Sequence, residues 1–162
     1  MILLCLSLRS AAQTENYAVH ANIIYRFTKY IDWPPEKKSG DFVIGILGES
    51  PLFDEMKTRI EGKMAGNQRI VVKEISVRSA LNDCHILFLS AEESEDIKKV
   101  LAKVAGKPVL LVSESEGLAQ QGSCINFRLV AEHLKLEINK KNIEQRKLGI
   151  ASELLQLGKI VK

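Results

Sequence analysis

Three mainly apolar runs without polar alternation constrain what this chain can fold into more than anything else in it. They are residues 42–48 (FVIGILG), 84–90 (CHILFLS) and 109–113 (VLLVS). A strand with one wet face alternates apolar and polar residues, so a run without alternation belongs to a strand covered on both sides. Residues 69–75 (RIVVKEI) read as a further strand. Helical signals separate the runs. Ser50-Pro51 supplies an N-cap and a proline at the first helical position, ahead of a helical pattern over 52–60 that stops at Gly62. Residues 77–82 suit one or two helical turns. Ser90-Ala91-Glu92-Glu93 has the form of a capping box opening a helix that buries Ile97, Val100, Leu101 and Val104, with Gly106 and Pro108 as its stop. Strand alternating with helix predicts a three-layer α/β/α sandwich around a mostly parallel sheet with right-handed crossovers.

The last third changes character. Residues 124–129 and 134–138 are strand-like and joined by a four-residue connection, which predicts an antiparallel C-terminal hairpin at one edge of the sheet. Asn139 suits the N-cap of a helix running to Leu148. Ile150, Leu154, Leu157 and Val161 form a last apolar stripe, read as a short closing helix. At the other end, residues 15–32 place Ala21, Ile24, Phe27 and Ile31 at helical spacing, and Trp33-Pro34-Pro35 ends that helix because the residue before a proline is pushed out of helical geometry.

Residues 1–12 read as a signal peptide: the apolar run 2–6 is followed by Ser10 and Ala12 in a small-x-small cleavage pattern. The run lacks a basic flank and Arg9 interrupts its end, as a start codon placed too far downstream would produce. This leaves one α/β domain over 13–162, expected to be exported. The net charge of +3 is spread along the chain with no block of like charges, which excludes a nucleic-acid-binding tail. No stretch of 18 apolar residues exists, so direct membrane insertion is not expected.

The catalytic signatures are missing. There is no G-x-S-x-G elbow, Walker A loop or G-x-G-x-x-G fingerprint, and no enzyme activity, cofactor or metal is expected. Gly48, Glu49 and Ser50 follow a strand and precede a helix, where doubly wound folds bind ligands. They are either a small-ligand site using the helix N-terminus or a plain turn, and Glu49 opposes an anion. His20, His85 and His133 are far apart. His85 reads as a hydrogen-bonded core residue, and His133 as exposed in the hairpin turn. Cys84 and Cys124 each precede a strand. They read as free and buried, with pairing open only if the strand ends come together. Trp33 either packs over the end of the sheet or serves as an aromatic anchor for a partner.

Several segments taken in order carry a resemblance. Residues 22–34 (NIIYRFTKYIDWP), 42–48 (FVIGILG), 84–90 (CHILFLS), 122–127 (GSCINF), 136–139 (LEIN) and 154–157 (LLQL) resemble the YfiR-like family of exported bacterial proteins. The resemblance implies a periplasmic, non-catalytic and dimeric regulator. Such a protein binds the periplasmic sensor domain of a membrane-bound diguanylate cyclase, restrains cyclic di-GMP signalling and so opposes biofilm formation. The hairpin, read at a sheet edge with Phe127, Leu136 and Ile138 as apolar anchors or, for the last two, ordinary core, is the candidate partner surface. Phe127, Glu137 and Asn139, with Trp33, are the candidate partner-binding residues, and Glu137 is expected to be exposed because it alternates with Leu136 and Ile138. The family's additional cysteines are absent, so its disulfide control is not carried over. A regulator of a sensor histidine kinase, or a small-ligand sensor or carrier, are the alternatives.

Overall fold

The computed structural model describes residues 3–162, with side chains from residue 17 onward. The first two residues of the expected signal peptide lie outside the described residues, and residues 3–12 are described as backbone only. In chain order the elements are α1 (Leu3–Tyr30), β1 (Ile31–Asp32), β2 (Phe42–Leu47), α2 (Pro51–Arg59), β3 (Met64–Ala65), β4 (Gln68–Ile75), β5 (Ile86–Leu89), α3 (Ile97–Val104), β6 (Leu110–Ser113), α4 (Leu118–Gln121), β7 (Ile125–Val130), β8 (His133–Ile138), α5 (Lys140–Gln145), β9 (Gly149–Ile150), α6 (Ser152–Leu155) and β10 (Lys159–Ile160). Three short 3-10 turns lie between them.

Eight strands form one sheet in the order β10-β8-β7-β6-β5-β2-β4-β3. The five strands from β4 to β7 run parallel. β8 returns antiparallel to β7, β10 runs parallel to β8, and β3 folds back on β4. The chain steps from β2 through α2 to β4 in one direction, and from β5 through α3 to β6 in the other. Right-handed crossovers made in opposite directions place their helices on opposite faces. Hence the layers are α/β/α, as the apolar runs predict. Every residue of β5 and β6 is buried, which is why their sequence has no polar alternation.

α1 lies on the same face as α2, and Ala21, Ile24 and Phe27 are fully buried beneath it. It ends at Tyr30, two residues earlier than the stripe suggests, because Ile31 and Asp32 pair with β9. Among the described residues, no helix is long and apolar enough to cross a membrane.

Four expectations are corrected. Ser90 does not cap a helix: its Oγ is buried without a hydrogen-bond partner among the described residues, and α3 begins only at Ile97 after a 3-10 turn over Ser94–Asp96. Glu93 of the expected box instead packs against Gly48, where any Cβ would strike it. The hairpin loop has two residues rather than four, Ala131 and Glu132, both at positive φ (49° and 63°). Two positive φ values match the right-handed strand twist in a tight turn, at a steric cost that neither side chain avoids. The closing stripe is not one helix. α6 spans a single turn, Gly158 lets the backbone abut Ile138 and the Leu136 carbonyl, and the chain enters the sheet as β10. The hairpin is therefore next to the edge, with β10 outermost.

Candidate functional site

The register of the sheet sets polar residues in a row at its hairpin end. Ser113 on β6 lies opposite Asn126 on β7, which lies opposite Glu137 on β8. Register partners share a face, so the three side chains stand side by side. Ser113 Oγ donates to Asn126 Oδ1 at 2.7 Å and lies 2.8 Å from Ser123 Oγ. Asn126 Nδ2 donates to Glu137 Oε2 at 3.2 Å, and Arg128 donates to Glu137 Oε1 at 3.2 Å while also reaching Glu116. A buried charge needs a counter-charge and filled lone pairs, and Glu137 has both.

This corrects the expected exposure of Glu137, which is only 6% exposed. Alternation does turn it away from Leu136, but the opposite face is covered as well. Phe127 is buried between Phe27, at 6.2 Å between ring centroids, and His20, at 4.4 Å. Asn139 is buried as the α5 cap: its Oδ1 accepts from Asn142 N at 3.1 Å, and its Nδ2 donates to Ala119 O at 2.9 Å. Trp33 packs over the far end of the sheet. Its Nε1 donates to His85 O at 3.3 Å, and Phe42 meets its ring edge-on at 5.0 Å. The structure brings Phe127, Glu137 and Asn139 to the β7–β8 end and leaves Trp33 at the opposite one.

What lies open at the hairpin is different. Leu129 and Val130 near its tip, Leu157 just before β10 and Ile160 within it are exposed. Between β8 and the α6–β10 turn runs a slot of about 510 Å³, lined by Arg128, Val130, Lys135, Leu136, Leu157 and Lys159 among others. Sequence reasoning missed it because Leu157 reads as part of a helical stripe.

His85 behaves as expected. Its Nδ1 accepts from Val43 N at 3.1 Å, so the proton sits on Nε2, which donates to Lys37 O at 2.7 Å. Burial holds its pKa below the ordinary imidazole value. Cys84 and Cys124 are free and buried. Burial pushes the Cys84 thiol up to about 11, and raises Cys124 as well.

The loop after β2 is shaped as a turn. Gly48 holds φ 80°, and Ser50 Oγ accepts from Leu52 N at 3.2 Å, which commits it to capping α2. The open cavity beside it, about 490 Å³, is lined by Glu49, Asp54, Glu74 and Glu92, a field that repels anions. Nearby, Glu114 follows β6 and accepts from Tyr17 Oη at 3.1 Å and from Ala91 N at 3.0 Å, with His20 Nε2 at 4.0 Å. Burial raises its pKa. Tyr17 is pushed to about 12, first by burial and then by the Glu114 charge. The signal available in sequence was the spacing of Tyr17 and His20, one helical turn apart. Arg146 was also missed: it is buried and donates to Val104 O and Gly122 O, neutralising the C-terminal ends of α3 and α4. Among the described residues, no group of three or more His, Cys, Asp or Glu could hold a metal ion.

No curated protein sequence matches the chain. The YfiR/HmsC-like family model matches residues 17–159, which run from the Tyr17 that bonds Glu114 to the first residue of β10. With the match covering nearly all of its length, the chain belongs to the YfiR/HmsC-like family.

Proposed function

We propose that this protein is an exported, non-catalytic regulator that binds the periplasmic sensor domain of a membrane-bound diguanylate cyclase and holds the enzyme inactive. The observation that carries the reading is the family match over residues 17–159. The polar side chains support it. His85, Cys84, Cys124, Ser113, Asn126 and Glu137 are buried, and those that hydrogen-bond do so to hold strands and turns together. In this reading residues 1–12 are removed on export and the domain over 13–162 acts as a homodimer. Phe127, Glu137 and Asn139 serve partner binding by holding the hairpin in place beneath its exposed side chains.

Capture on tagged protein exported in its own host, from gently solubilised membranes, identifies the partner. Co-expression with that partner then reads cyclic di-GMP. A membrane diguanylate cyclase recovered in the capture, and cyclic di-GMP lowered by the folded, exported protein, are expected. Recovery of a sensor kinase alone, or unchanged cyclic di-GMP, overturns the cyclase reading.

A further inference from the structure

We propose that the slot beside β8 receives an extended acidic segment of the partner protein, which adds to the sheet as a strand. The proposal rests on the regulatory reading only for the identity of the partner; the slot itself is argued from the sheet edge and its charge.

β8 pairs with β7 along all six of its residues, but β10 covers only the last two on the other side. Among the described residues, 133–136 therefore have no strand on the side away from β7. The direction of their amides follows from the pairs that are made. Asn139 N donates to Cys124 O, toward β7, and Ile138 O accepts from Val161 N, toward β10. Amides alternate sides along an antiparallel strand, which turns those of Leu134 and Leu136 toward the slot. A peptide laid there finds main-chain partners at Leu134 and at the Leu136 N–H, the Leu136 carbonyl already lying against Gly158, as in strand addition at other sheet edges.

The lining decides what kind of strand fits. Lys135 and Lys159 flank the slot and form no ion pair among the described residues. Glu137 is the one carboxylate in the lining, and its charge is already met by Arg128. Val130 and Leu157, both exposed, offer apolar footing between the cations. An occupant alternating acidic and apolar residues matches this surface. A second copy of the chain does not: two-fold pairing of this edge would set Lys135 and Lys159 against their own counterparts.

The test uses the full chain and a labelled heptapeptide alternating valine with glutamate, with a lysine-for-glutamate peptide as control. Binding of the glutamate peptide alone, with slowed hydrogen exchange at Leu134 and Leu136, is expected. Lys135→Glu with Lys159→Glu should weaken that peptide about tenfold and make the lysine peptide the better ligand. Circular dichroism checks that the variant is folded, and the reversed preference is a gain that unfolding cannot imitate. Equal binding of both peptides, protection elsewhere, or no binding overturns the proposal; the last is the result if the lysines only guard the edge against pairing. Vesicles of anionic phospholipid bound through the same lysines without peptide binding would assign the surface to a membrane. A concentration-dependent dimer protecting the same amides would assign it to a second copy. Peptide binding together with unchanged cyclic di-GMP would sink the cyclase reading and leave the slot intact.

Discussion

The two ends of the sheet solve the same problem differently. At the Trp33 end, His85 is buried and neutral, with a backbone amide donating to one ring nitrogen and a backbone carbonyl accepting from the other. At the hairpin end, Glu137 is buried as one member of an ion pair, with Arg128 and Asn126 around it. A neutral group satisfied by backbone costs little to bury, whereas a charge is tolerable only while its partner stays in place. The Trp33 end is thus held by local geometry, and the hairpin end depends on a side chain that reaches toward solvent.

The largest effect tests what joins the two ends. Phe127→Ala removes the ring that links α1 to the hairpin and should cost about 3–5 kcal/mol in urea denaturation. A loss under about 1 kcal/mol would show that α1 does not hold the hairpin. Glu137→Gln should cost about 1–3 kcal/mol, since Arg128 and Asn126 lose a charged acceptor. The same change in an Arg128→Gln background should cost measurably less. Additive losses would mean the pair is not coupled. Replacing Ala131-Glu132 by Asn-Gly relieves two positive φ values and should stabilise by about 1 kcal/mol. An unchanged midpoint would mean the turn carries no strain.

The smallest effect is one of pH and isolates the neutral end. The folded pKa of His85 lies below its ordinary value near 6.5. Below that pH the unfolded chain binds more protons than the folded one, so stability falls as pH drops through about 6.5. Glu114 acts with the opposite sign: its raised folded pKa makes stability fall as pH rises above its ordinary value of 4.5. Denaturation series at pH 7.5, 6.0 and 5.0 on the wild type, His85→Gln and Glu114→Gln separate the two. A His85→Gln series with the same slope as the wild type would remove His85 as the cause.

Much of the frame is legible in the sequence. Apolar runs without alternation marked β2, β5 and β6 because strands covered on both faces have no polar positions. The period of α1 marked Ala21, Ile24 and Phe27 because one helical face is buried. Asn139 was legible as a cap because its carboxamide does the same work in any context. The two-residue strands β1, β9 and β10 were not, since two residues carry no period. Of the candidate surface, the hairpin was legible and the slot beside it was not. Its lining joins β7 and β8 to residues 156–159, and the break at Gly158 only makes sense against Ile138.

Local patterns in the sequence by themselves determined the longer strands and the first helices, which side of each is apolar, and where the hairpin lies. Those properties depend on neighbours within a few residues. Whether a polar residue on the second face of a strand meets water or protein was decided only by the tertiary structure. Alternation turned Glu137 away from Leu136, but Arg128 and Asn126 closed over it. The strand order β10-β8-β7 left residues 133–136 uncovered, with Lys135 and Lys159 beside them. Burial and edges are made by elements distant in the chain, and no local period records where those elements will pack.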